Sequence, residues 1–148
     1  MIAESSIAKT VFNFFTVCAA SFLVYLDIEV ETYSIYAVLL IIDLFTGWIK
    51  AGKLGEPRTS VRMKYGILTK LMLLLMPIVL ALGAKAVGVE FKTILDVCMT
   101  ILVLSEVYSI IGNMYTIKSG GELPEYDAIA MIGGKIRTFL IRLAGEKA

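Results

Sequence analysis

Apolar residues dominate four stretches of the chain, each close to the length that crosses a bilayer. A spanning helix needs about 20 mostly apolar residues. Short polar connections separate the stretches, and each stretch contains only a few polar side chains. The pattern therefore predicts an all-α membrane protein with about four transmembrane helices, at about residues 7–26, 33–49, 67–89 and 93–117.

The chain becomes polar after residue 117, which divides it into a transmembrane domain at 1–117 and a cytoplasmic tail at 118–148. Apolar residues return every three or four positions over about 126–143, which is the period of an amphipathic helix. Lys135, Arg137 and Arg142 flank this apolar stripe. We expect the helix to lie on the inner leaflet, with these side chains reaching anionic lipid. A surface for self-association is the alternative.

The charges of the connections predict how the helices are oriented. The connection at 27–32 has three acidic residues and no basic one, whereas the connection at 50–66 is strongly basic. Short loops rich in lysine and arginine stay in the cytoplasm. We therefore expect the basic loop and both termini to be cytoplasmic and the protein to lie in the bacterial cytoplasmic membrane. The basic residues of this loop are Lys50, Lys53, Arg58, Arg62 and Lys64.

Two helical faces inside the predicted spans carry polar or small residues. Within each face the residues recur at spacings of three or four, so they share one side of a helix. The members are Asp43, Gly47 and Lys50 in the second span and Glu106, Ser109 and Asn113 in the fourth. Because polar groups are costly within a bilayer, we expect these faces to contact other subunits or to line a pore. The alternative is that they only hold one four-helix chain together.

Two further charges lie near the connection between the third and fourth spans. If that turn is centred near Glu90, Lys85 and Asp96 lie at equal depth on antiparallel helices. Pairing would offset part of the cost of placing each charge below the membrane surface. We therefore predict an ion pair between these two residues, with separate snorkelling of both side chains as the alternative.

Composition limits the chemistry that the chain can perform. The sequence has 148 residues, 58% of them apolar, a mean hydropathy of +0.83 and a net charge of +1. Such a charge implies no general attraction to nucleic acid. The chain has no histidine, which is the commonest general base and metal ligand. Cys18 and Cys98 both lie in apolar stretches and are expected to pack as small apolar side chains. We expect no enzyme activity, no cofactor and no metal.

Two motifs resemble the toxin-secretion and phage-lysis holins. Asp43-Leu-Phe-Thr-Gly-Trp-Ile-Lys-Ala51, with Ser60 and Gly66-Ile-Leu-Thr-Lys70 after it, is similar to the family's Asp-x-x-Thr-Gly-x-x-Lys-Ala pattern and the residues that follow. Glu106-Val-Tyr-Ser-Ile-Ile-Gly-Asn113, continuing to Gly121-Glu-Leu-Pro124, resembles its Glu-x-x-Ser-Ile-x-x-Asn pattern. Gly112 stands where an acidic residue is expected. The resemblance covers roughly residues 37–125.

This resemblance implies a phage- or prophage-encoded protein that forms homo-oligomers in the bacterial cytoplasmic membrane. The oligomer would open lesions through which a muralytic endolysin or a toxin reaches the cell wall. Two alternatives are a narrow ion or solute channel and a membrane scaffold that recruits a partner through the basic loop. Release of a whole protein distinguishes a lesion from a narrow channel, and a scaffold permeabilises nothing.

Overall fold

A computed structural model describes residues 2–57, 59–121, 134–139 and 141–142, with side chains from Ser6 onward. Within these residues the chain is helical and contains no strand. All four long helices are long and apolar enough to cross a membrane, which confirms the predicted fold class. They are α1 (Ile2–Tyr25), α2 (Val30–Lys53), α3 (Ser60–Val87) and α4 (Lys92–Ser119).

The helices extend beyond the apolar stretches because the polar flanks continue the helical backbone. At the start of α3, the Thr59 hydroxyl accepts a hydrogen bond from the backbone N–H of Arg62 at 3.2 Å and caps the helix. The predicted basic loop at 50–66 is therefore wrong in extent. Lys50 and Lys53 end α2, whereas Arg62 and Lys64 lie in the first turns of α3. Arg58 lies outside the described residues.

Glycine ends two of the helices. Gly88 follows α3 with a φ of 65°, and Gly120 follows α4 with a φ of 76°. A residue without a Cβ adopts this left-handed conformation at no steric cost, which allows the chain to leave the helix at once. The turn after Gly88 therefore brings α4 back against α3 within a few residues.

Helices α2, α3 and α4 form the packed part of the molecule, and α2 packs most extensively against α4. The larger apolar core cluster contains residues of α2 and α4, namely Tyr36, Leu40, Cys98, Met99, Ile101 and Leu102. Side chains of α3 pack around this cluster. The three helices therefore enclose a common interior, and side chains from all three can meet there.

Helix α1 differs from the other three because it touches the bundle mainly near its end. Leu23 and Leu26 are buried, but the side chains from Ser6 to Phe22 are exposed apart from half-buried Ala20. Phe12 is 70% exposed. Most of the surface of α1 is therefore available to lipid or to another protein chain.

Aromatic side chains mark one end of the bundle. Trp48, Tyr65 and Tyr115 each lie within about two turns of the end of their helix on the side of the α2–α3 connection. Tryptophan and tyrosine are enriched at the level of lipid headgroups. Lys53 and Arg62 lie at the same end. This end therefore has the composition of a membrane interface, and we refer to it below as the basic end.

The described C-terminal residues, 134–139 and 141–142, are helical and are called the C-terminal segment below. Ile136 packs against the larger core cluster, and the Phe139 ring lies 5.4 Å from the Phe91 ring in an edge-to-face arrangement. The predicted apolar stripe therefore contacts protein here, so its assignment to lipid is wrong for these two residues. The basic residues Lys135, Arg137 and Arg142 are exposed, and their contact with lipid stays a prediction. The remainder of the predicted 126–143 helix lies outside the described residues.

Candidate functional site

Lys70 of α3 lies between two carboxylates from the neighbouring helices. Its Nζ is 2.7 Å from Oδ2 of Asp43 on α2 and 2.7 Å from Oε2 of Glu106 on α4. The two acids are almost completely buried, with 6% and 3% exposure, whereas the lysine side chain keeps 21%. A buried charge is tolerated when it is paired and hydrogen-bonded. One lysine therefore links all three packed helices.

Asn113 extends this arrangement along α4. Its Nδ2 donates to Oδ1 of Asp43 at 2.9 Å and to the Thr46 hydroxyl at 3.2 Å. Asp43 thus binds Lys70 through one carboxylate oxygen and Asn113 through the other. We call the five residues the polar cluster: Asp43, Thr46, Lys70, Glu106 and Asn113.

The polar cluster lies deep in the bundle. Lys70 is ten residues from the start of α3, and Asp43 is ten residues from the end of α2. At 1.5 Å per residue, both lie about 15 Å from the basic end. This depth falls near the middle of a hydrocarbon core that is about 30 Å thick. The arrangement is therefore an ionic contact within the apolar layer and not at the membrane surface.

The polar cluster contains both predicted polar faces. Asp43, Glu106 and Asn113 meet as partners of the cluster, and a Cβ on Gly47 would lie 3.6 Å from the Asn113 Nδ2. Ser109 is half-buried on α4 but lies outside the cluster, and Lys50 is half-buried one turn past Gly47. These contacts are within one chain, so the alternative that the faces hold one chain together accounts for them. A role between subunits or along a pore stays a prediction.

The predicted ion pair between Lys85 and Asp96 is wrong. The Nζ of Lys85 lies 2.9 Å from Oδ2 of Asp27 and 4.9 Å from the centre of the Tyr25 ring. Asp96 instead faces Lys92, one turn earlier on α4, at 3.7 Å. The turn after α1 brings Asp27 to α3, and equal depth on adjacent helices does not determine which sides face each other.

Tyr33 provides a second polar link between α2 and α3. Its hydroxyl donates to the backbone carbonyl of Leu74 at 2.8 Å. Leu74 lies one turn before Pro77, which is buried inside α3 and cannot donate a backbone hydrogen bond to the carbonyl four residues earlier. The tyrosine therefore adds a hydrogen bond next to the position where the helix loses one.

Two members of the polar cluster were not assigned a role from the sequence. Lys70 and Thr46 both lie within the motifs quoted above, but no spacing on one helix relates Lys70 to Asp43 or to Glu106. The usable signal was balance of charge, because two acids inside spans require a base at similar depth. Lys70 is the basic residue of α3 that lies near mid-membrane.

The described residues contain no group of three or more histidine, cysteine or acidic side chains that could hold a metal ion. Cys98 is buried in the core as expected, whereas Cys18 is exposed on α1, so its predicted burial is wrong for this chain. Two buried hydroxyls, those of Tyr36 and Thr116, have no hydrogen-bond partner among the described atoms. The arrangement supports helix association and ionic pairing.

Comparison with known proteins gives one match. The sequence profile of the Bacteriophage holin family matches residues 25–126, which is more than half of the chain and includes the whole of α2, α3 and α4. No curated protein and no solved structure matches the chain. The match contains every residue of the polar cluster and excludes nearly all of α1. With four helices able to cross a membrane, the chain is a multi-pass membrane protein that belongs to the bacteriophage holin family, a family of non-enzymatic proteins.

Proposed function

We propose that the protein accumulates in the bacterial cytoplasmic membrane, self-associates and opens lesions that release a cytoplasmic wall hydrolase or a toxin. The observation that carries this proposal is the family match across all of α2–α4. A holin requires no direct contact with the released protein, so the functional partner is a muralytic endolysin or an exported toxin. The membrane lipid and other copies of the chain are the physical partners.

The exposed surface of α1 supports self-association. Lys9, Asn13 and Thr16 recur at spacings of four and three on this helix, and all three are exposed. The Thr16 hydroxyl is satisfied by the carbonyl of Phe12 at 2.9 Å, but a carboxamide such as that of Asn13 carries two donors and an acceptor. A carboxamide facing lipid is unfavourable, and hydrogen bonding to another helix relieves the cost. A second copy of the chain provides such a helix.

The polar cluster supports a lesion between chains rather than a channel through one chain. The charged groups of Asp43, Lys70 and Glu106 bind one another and occupy the interior that α2, α3 and α4 share. A channel along this axis would require the ion pairs to separate and become hydrated. We infer that the cluster keeps each bundle intact, and that the opening forms where several bundles meet.

The charge distribution supports the predicted orientation. Lys53, Arg62 and Lys118 lie at the basic end, whereas Asp27 and Glu31 lie at the opposite end. Because positively charged flanks remain in the cytoplasm, we propose that the basic end faces inward. The exposed residues of this end also remain the surface through which a scaffold, the third alternative, would recruit a partner.

Reconstitution into vesicles loaded with solutes of graded size tests the proposed function. The purified protein at increasing density should release a folded protein together with a small dye, after a threshold in protein per vesicle. Release of the dye alone at every density would contradict a lesion and support the narrow channel. Retention of both solutes would contradict both and support the scaffold.

A further inference from the structure

The C-terminal segment contacts the end of the bundle that lies away from the basic end. Phe91 directly precedes α4, whereas Ser119 ends it, and the 28 residues of the helix extend about 42 Å at 1.5 Å per residue. The Phe139 ring lies 5.4 Å from the Phe91 ring. The chain that leaves α4 at Ser119 therefore returns to the start of the same helix.

A second contact places the segment within the apolar layer. Ile136, one turn before Phe139, packs against the core cluster that includes Cys98 and Leu102. Cys98 lies about 9 Å inside the start of α4 by its position along the helix. The Thr138 hydroxyl donates to the carbonyl of Gly134 at 2.9 Å, so its polar group is satisfied within the segment. Ile136 and Phe139 thus form one apolar side that faces the bundle.

The charges of the segment are compatible with this position. Lys135 lies four residues before Phe139 and Arg142 three residues after it, which places both within about 6 Å of the level of Phe91. Both side chains are exposed, and long basic side chains near a membrane surface extend to the headgroups. The acidic residues Glu90 and Asp96 lie at this same end of α4.

We propose that the C-terminal segment is a membrane-embedded element that docks on the bundle beside the α3–α4 turn and covers apolar surface on which a second copy would otherwise pack. The segment and its docking surface belong to one chain, so its effective concentration there exceeds that of a second copy at low density. Docking therefore delays self-association until the protein becomes crowded. This position replaces the predicted placement of the tail on the inner leaflet.

Cross-linking tests the docked position without reference to activity. In full-length protein with Cys18→Ala and Cys98→Ala, the pair Phe91→Cys and Phe139→Cys should be joined by a short bis-maleimide in membranes. The product should migrate as a monomer. Lys118→Cys with Phe139→Cys is the matched control, because Lys118 is exposed near the other end of α4. Cross-linking of the control pair alone, or a dimer when the two single variants are co-expressed, would overturn the docked position.

Lesion timing tests the covering role. Ile136→Ala and Phe139→Ala should each shorten the lag before loss of membrane potential several-fold at equal protein density. Ile141→Ala is the control, since this side chain is 62% exposed, and it should leave the lag unchanged. Lags equal to that of the parent for both variants would overturn the covering role. Absence of lesions in every variant and in the parent would contradict the proposed function instead, while the cross-linking result still decides the docked position.

Discussion

Lys70 contacts Asp43 at 2.7 Å, and this ion pair joins α3 to α2 near the middle of the membrane. Neither residue is close to the other in sequence, and each lies about 15 Å from the basic end. The lysine reaches the carboxylate because the two helices run antiparallel from a short connection, so residues equally far from that connection meet. The contact therefore depends on the fold of α2 and α3 and reports directly on it.

Replacement of Lys70 should destabilise the bundle strongly. Lys70→Met keeps a long unbranched side chain but leaves two buried carboxylates without a cation, and breaking a buried pair in this way costs about 3–5 kcal/mol. Lys70→Arg, which keeps the charge, should lose less. Thermal unfolding in detergent micelles, together with the amount of protein in membranes, measures the effect. Equal stability of Lys70→Met and the parent would contradict the assigned ion pairs.

Asn113→Leu should have a smaller but measurable effect. The substitution removes the hydrogen bonds to Asp43 and Thr46, and an interhelical bond within a membrane contributes about 0.6–2 kcal/mol. Leu104→Ile is the control, because Leu104 is 57% exposed on the same helix. The same unfolding measurement should separate the two variants, and identical midpoints would show that the Asn113 contacts do not stabilise the bundle.

The fold was largely predictable because the bilayer fixes the length and composition of spanning helices. The four apolar stretches predicted all four helices, whereas the short sequence signals at their ends, such as the Thr59 cap, made each helix longer than its apolar part. Asp43 and Asn113 were identified because polar residues within a span are rare. Their partner Lys70 was not assigned, since pairing across helices depends on rotation and register, which one helix's periodicity does not specify.

The same limitation explains the error at Lys85, and a charge-swap series tests the corrected pairing. Lys85→Asp with Asp27→Lys should restore part of what either single substitution loses, whereas Lys85→Asp with Asp96→Lys should not. The expected loss is below about 1 kcal/mol because both side chains are partly exposed. Stability in micelles at low ionic strength is the appropriate measurement. Rescue by Asp96→Lys alone would return the assignment to the original pair.

Tyr33→Phe should destabilise the protein by about 0.6 kcal/mol through loss of its bond to the Leu74 carbonyl. If this bond compensates for the donor that Pro77 lacks, the cost should fall when Pro77→Ala is also present. A double-mutant cycle measures the coupling between the two positions. Equal costs of Tyr33→Phe in both backgrounds would show that the tyrosine acts independently of the proline.

The orientation of the bundle can be measured with an impermeant thiol reagent in intact cells. In the protein with Cys18→Ala and Cys98→Ala, Pro57→Cys should resist labelling before lesions form, whereas Glu31→Cys should react. Both positions are exposed and lie in or next to opposite connections. Labelling should become equal after the cells are permeabilised. The reverse pattern in intact cells would place the basic end outside.

The most direct test of lesion formation is release of a cytoplasmic wall hydrolase that has no export signal of its own. Co-expression with this protein should give a lag, an abrupt loss of membrane potential and then a rapid fall in culture turbidity. The hydrolase alone should leave the cells intact, and the protein alone should abolish the potential without rapid lysis. Loss of potential while the hydrolase stays inside the cells would contradict the proposed lesion.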